Sequence, residues 1–175
     1  VFESNPEVSV AGGPGVAQKL YLRGLEDTLL NISIDGASQP GQTFHHTGRI
    51  GIEPELLKRA EVQAGTGDAT AGPGALGGAI RFVTKDPDDL LRDGEQLGAL
   101  LKTGYFSNGE GYKSSASVFG RFNENWSALA MTTYQDQNDF EDGNNDDVLG
   151  TAARQKLGFA KLVGKLTEEQ TLRLS

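Results

Sequence analysis

His45 and His46, in the stretch SQPGQTFHHTGRIG, are the only two histidines of the chain. A neutral imidazole is a common axial ligand for haem iron; a histidine pair between polar residues also fits an exposed loop with no ligand at all. Gly41 and Gly48 flank the pair and free the backbone to present a side chain. Gly72, Gly74 and Gly77 stand at the G-x-G-x-x-G spacing of dinucleotide-binding loops. That fingerprint needs a helix leaving it, because the helix N-terminus binds the pyrophosphate. Here Ala79 to Lys85 leaves, alternating at period two and rich in β-formers, so a strand is expected and nucleotide binding is not. Asp136, Asp139, Glu141, Asp142, Asp146 and Asp147 form an acidic run that could hold a hard cation such as calcium. The EF-hand order fails, since Phe140 falls where an oxygen ligand is needed. A solvated loop that repels its neighbours is expected there. With no Ser/His/Asp arrangement and no HExxH, we expect no catalytic residue, no resident metal and no intrinsic cofactor.

The elements that must carry these residues fall into two halves. The chain has 175 residues, 24 of them glycine, a net charge of -8 and no cysteine. Such acidity disfavours nucleic acid as a partner, and the lack of cysteine removes thiolate sites and disulfides. Up to about Lys85, KLYLRG and LLNISIDG alternate like strands, with Asp35-Gly36 as a turn signal. IEPELLKRAEVQAG puts Pro54 and Glu55 at a helix start and passes into a short strand from Glu61 to Ala64. This half is expected to be a small α+β domain, residues 1–85. An acidic linker follows, residues 86–96.

From residue 97 onward the pattern changes. LGALLKTGYF, YKSSASVFGRF, WSALAMTTYQ and RQKLGFAKLVGKL are each about ten residues long, and a fifth segment begins at QTLRLS, as expected of barrel strands between lipid and a polar lumen. Trp126, Ala128, Ala130, Thr132 and Tyr134 share one face. At ~3.3 Å per residue and a tilt of ~40°, Tyr134 stands roughly 20 Å above Trp126, so the two aromatics fit opposite interfacial girdles. NEN and TEE are short connections, whereas the acidic one is long; barrels of the outer membrane alternate short periplasmic turns with longer external loops. A soluble β-meander is the competing reading. Neither end of the chain looks like a natural boundary: Val1 starts within a segment and TLRLS stops within an alternation. No signal peptide is evident.

LYLRG, ISIDG, IEPELLKRAEVQAG and GALGGAIRFVTK, in this order and spacing, resemble the plug domain of TonB-dependent outer-membrane receptors, and residues 97–175 resemble the opening four to five strands of their barrel. The resemblance implies an α+β plug followed by antiparallel up-and-down strands of a transmembrane β-barrel, incomplete here because such plugged barrels have about 22 strands. It implies a Gram-negative outer membrane as the location, lipid around the strands, and TonB as a partner through an N-terminal box that this sequence lacks. TKDPDDLLRDGE and ASVFGRF are most similar to the haem and haemoglobin receptor branch. Haem is therefore the implied cargo, with a ferric siderophore as the alternative. The loop after IDG is then a plug-apex loop, His45 the implied iron ligand and His46 the next candidate. Arg23 and Arg59 match the arginines that pair the plug with glutamates on the inner barrel wall.

Overall fold

Leu20 and Leu22, Leu30 and Ile32, Ile80 and Phe82 are the apolar positions of three short alternating segments, and with Val8 they form one buried cluster. Period-two alternation turns such residues to one side of a strand, so each segment contributes two side chains to the same core. The computed structural model describes residues 2, 5–11, 18–39, 48–65 and 71–175. The chain divides into two compact units, Val1–Thr84 and Lys85–Ser175.

In the first unit, β1 (Val8–Ala11), β2 (Lys19–Leu22) and β3 (Leu25–Glu26) make a three-stranded sheet in the order β1-β2-β3. A second sheet has the order β5-β4-β7-β6, from β4 (Leu30–Ile34), β5 (Ala37–Ser38), β6 (Leu57–Ala64) and β7 (Gly78–Thr84). β4 and β7 are its interior strands, and β7 runs parallel to β4 and antiparallel to β6. Asp35 and Gly36 join β4 to β5 with φ of 49° and 86°, the two positive values that a type I′ hairpin turn requires.

The segment after Glu53 departs from the helix-then-short-strand expectation. Pro54–Leu56 forms a single 3-10 turn, and the strand starts at Leu57, four residues before Glu61. Pairing across β7, from Leu57↔Thr84 to Ala64↔Gly78, satisfies a full row of backbone groups and outweighs a local helix-start signal that had no apolar stripe to bury. The glycine-rich stretch lies between β6 and β7 in sequence, and a strand follows it. Gly78 shows why glycine is needed there: its φ is 134°, and a Cβ would sit 2.2 Å from the Gln63 carbonyl oxygen and 2.8 Å from Leu22.

The second unit is a meander in the order β12-β11-β10-β9-β8. Its strands are β8 (Leu97–Phe106), β9 (Gly111–Arg121), β10 (Trp126–Gln137), β11 (Ala153–Lys165) and β12 (Thr171–Leu174), all pairs antiparallel. The sheet is open. Before β8, a 3-10 turn at Pro87–Asp89 carries a reciprocal cap between Asp86 and Asp89. Among the described residues, no helix is long and apolar enough to cross a membrane, which leaves crossing by strands untouched.

Candidate functional site

His45 and His46 lie outside the described residues, but both ends of the segment that carries them are described. It leaves β5 at Gln39 and returns at Gly48 and Arg49. Arg49 ties those ends together: Nε donates to the Gln39 carbonyl at 2.8 Å, and Nη1 donates to the carbonyls of Asp27 and, at 3.3 Å, Leu30. A guanidinium suits this role because its planar fork reaches several acceptors at once. Beside it the Asp27 side chain is buried, and burial pushes its carboxyl above the usual carboxylate range against the opposing pull of Arg49. On the other side of the hairpin, the Asp35 carboxylate accepts from the Thr84 N–H at 2.9 Å and its hydroxyl at 2.5 Å, which fixes the turn to the end of β7. Nothing in the sequence pattern singles out Arg49. Its role depends on three carbonyls that come together only in the fold.

Arg23 and Arg59 sit on different sheets. Arg23 occupies the β2–β3 turn with φ of 50°, and its Nε donates to Glu7 at 2.8 Å. Arg59, on β6, donates to Glu61 at 2.6 Å. Both side chains are more than half exposed, at 61% and 56%, so these local pairs contribute little stability. The strands β8 to β12 carry a single acidic residue, Asp136.

Register separates the two faces of that sheet. Leu97, Ala99 and Leu101 pair with Gly120, Val118 and Ala116, which continue into Ala128 and Ala130 on β10 and then Leu162 and Ala160 on β11. This apolar field ends in aromatics. Trp126 closes one edge, packed over Gly164 so tightly that a Cβ there would lie 2.5 Å from the indole. At the opposite edge Tyr105 pairs with Tyr112, the Tyr112 and Tyr134 rings are 5.7 Å apart, and Lys156 Nζ lies 5.7 Å from the Tyr134 ring centre. Beyond them, Arg154 bonds Asp136 at 2.9 Å. The opposite face is mixed: Ser115, Ser117, Ser127, Thr133 and Gln135 are buried there beside Phe119, Leu129, Met131 and Val163, and it carries the charges Lys102, Lys113, Arg121, Lys161, Lys165 and Arg173. An exposed apolar band bounded by aromatic girdles on one side, with the lysines and arginines confined to the other, is the pattern of a strand wall between lipid and a lumen.

The acidic connection between β10 and β11 is more ordered than a self-repelling loop. The Asp139 carboxylate accepts the N–H groups of Thr151 and Ala152, each at 2.6 Å. These donors, Ala152 foremost, hold its carboxyl below the usual range. Asn108 brackets Glu141 with two bonds, at 2.9 and 2.7 Å, and Asn138 N–H donates to the Gly109 carbonyl at 2.8 Å. Backbone donors thus take up carboxylate charge that would otherwise face other carboxylates. Among the described residues no group of three or more His, Asp or Glu is arranged to hold a metal ion.

A two-sheet unit with a glycine-rich strand connection, followed by a meander with one lipid-type and one lumen-type face, defines the plug-and-barrel class of outer-membrane receptor. Residues 1–79 match the TonB-dependent receptor plug domain, and the chain belongs to the TonB-dependent receptor family. Over 162 residues it is 36% identical to the heme transporter BhuA of Brucella suis, covering 91% of this chain and 24% of that protein. Over 174 residues it is 33% identical to the TonB-dependent heme receptor A of Haemophilus influenzae, covering 97% and 23%. The FrpB iron transporter of Neisseria meningitidis (F3-3 variant) superposes with a TM-score of 0.78 at 33% identity, over 96% of this chain and 26% of that one. The chain spans about a quarter of the length of these relatives.

Proposed function

We propose that this chain is the plug and opening barrel wall of an outer-membrane receptor that imports haem in a TonB-dependent manner. The observation that carries the reading is the similarity to two heme transporters or receptors along more than nine-tenths of the chain, together with the chain's only two histidines in the segment that follows the Asp35-Gly36 hairpin. In this reading His45 supplies an imidazole to the haem iron, with His46 beside it, and a second ligand comes from a barrel loop. Arg49 holds the two ends of the histidine segment together, which lowers the entropy lost when the iron is bound. TonB then acts on the plug from the periplasm, the plug rearranges, and haem passes along the wall whose inner face carries lysines and arginines, a charge suited to an anionic cargo. Arg23 and Arg59 are assigned to glutamates on later strands, holding plug to wall.

Ferric iron in another carrier is the second reading, favoured by the similarity to FrpB, whose description names iron alone. Growth decides between them. A Gram-negative host without its own haem receptor, expressing the full-length protein, should grow on haem as sole iron source, and the growth should vanish when TonB is deleted. Growth on ferric siderophores but not on haem would replace the haem reading with the second one.

A further inference from the structure

The charged side chains on the inner face of β8 to β12 are all cationic, and three of them are taken up by one short segment. Asp86 follows the last residue of β7 by two positions. Its Oδ1 lies 3.0 Å from Lys161 Nζ on β11, and its Oδ2 lies 2.8 Å from Arg173 Nη2 and 3.0 Å from Arg173 Nε on β12. Asp88 adds a bond of 2.6 Å to Arg121 Nε on β9. The Lys161 side chain is only 1% exposed, so the Asp86 carboxylate offsets part of the cost of burying its charge. The Asp86 carboxylate also caps the 3-10 turn, while Asp89 returns a bond to the Asp86 N–H at 2.9 Å. Pro87, buried at the first position of that turn, restricts the backbone at the same point.

We propose that Asp86 and Asp88 keep the segment after the plug fixed to β9, β11 and β12 throughout transport, so that rearrangement is confined to residues before Asp86. Resting on the receptor reading above, the inference adds a fixed point to it. Three strands hold the segment at once, and moving it would take a carboxylate away from a buried ammonium. Protonation does not release it near neutral pH. Burial alone would raise the Asp86 carboxyl, but the hydrogen bonds from Arg173 and Lys161 outweigh burial and hold it below the usual range. The opposite end of the plug is weaker: among the described residues β1 pairs with β2 alone, through four residues, and three of its four side chains are exposed. An element with one partner and little buried surface opens before one held on several sides.

Two measurements on the full-length receptor in membranes test the anchor. Asp86→Asn combined with Asp88→Asn should speed amide exchange over residues 86–90 at least tenfold, whatever the receptor carries; unchanged exchange would overturn the anchor. Asp88→Cys with Arg121→Cys, bridged by a reducible bifunctional thiol reagent, should keep TonB-dependent uptake within about twofold of the unbridged protein. Loss of uptake on bridging, recovered on reduction, would show that the segment must move and would overturn its fixed role. Absence of uptake by the unsubstituted receptor counts against the receptor reading, and the exchange result then decides the anchor alone.

Discussion

Asp86 and Lys161 stand 75 positions apart in the sequence, yet each sets the energetic state of the other. Replacing Asp86 with Ala leaves Lys161 buried without its carboxylate, and breaking a buried pair from one side costs about 3–5 kcal/mol; chemical denaturation of the full-length receptor should show a loss of this size. Its acid sensitivity has a defined sign. A carboxyl whose folded value is depressed contributes stability above its unfolded value of about 3.9, and loses it as pH falls through the lower folded value. The Asp86 contribution should therefore be intact at pH 5 and fade only below the ordinary carboxylate range, which exchange over residues 86–90 as a function of pH can follow. Gly78→Ala is a second residue-scale test. With φ of 134° and a carbonyl 2.2 Å from the new Cβ, it should destabilise the β6–β7 pairing by several kcal/mol, on the order of the larger single-site effects known. Gly104→Ala, where nothing lies within 4 Å, should change stability by less than about 0.5 kcal/mol.

Each strand of the meander presents an apolar and a polar side, and substitutions should divide accordingly. Ala130→Arg, in the middle of the outer field, should cost about 2–4 kcal/mol in a membrane, whereas Gly104→Arg on the opposite face, where a Cβ meets nothing within 4 Å, should be tolerated; folding into vesicles measured against denaturant compares the two. Labelling tests the direction of the strands. Asp142→Cys, in the long connection, should react from outside the cell, and Asn125→Cys, in the short turn before Trp126, only from the periplasm. These faces were legible in the sequence because alternation is local: Leu97, Ala99 and Leu101 declare a side without any partner. The β6 start was not legible, since the cue was tertiary. Pro54-Glu55 is good chemistry for a helix start, and only the β7 ladder makes Leu57 extended. Nor were the strands Val8–Ala11, Leu25–Glu26 and Ala37–Ser38, too short to show a period. Within the candidate site the histidine pair stood out by its rarity. Arg49 and the Asp86 cluster did not, because neither has a local pattern and both draw their partners from distant strands.

For the receptor as a whole, on the proposed reading, the histidine segment captures the cargo, the lysine- and arginine-bearing strands favour an anionic one, and movement is confined to residues before Asp86. The capture step of that reading depends on the cargo being haem held through His45 or His46. Adjacent imidazoles can substitute for each other, so removing both gives the cleanest comparison. The direct measurement is an absorbance titration of purified full-length receptor with haem, wild type beside the His45→Ala/His46→Ala double variant. The wild type should bind haem with a shifted Soret band, and the double variant should bind at least tenfold more weakly with an altered band. A double variant that keeps the wild-type spectrum and affinity would contradict the ligand assignment, and a wild type that binds no haem would contradict the account at its centre.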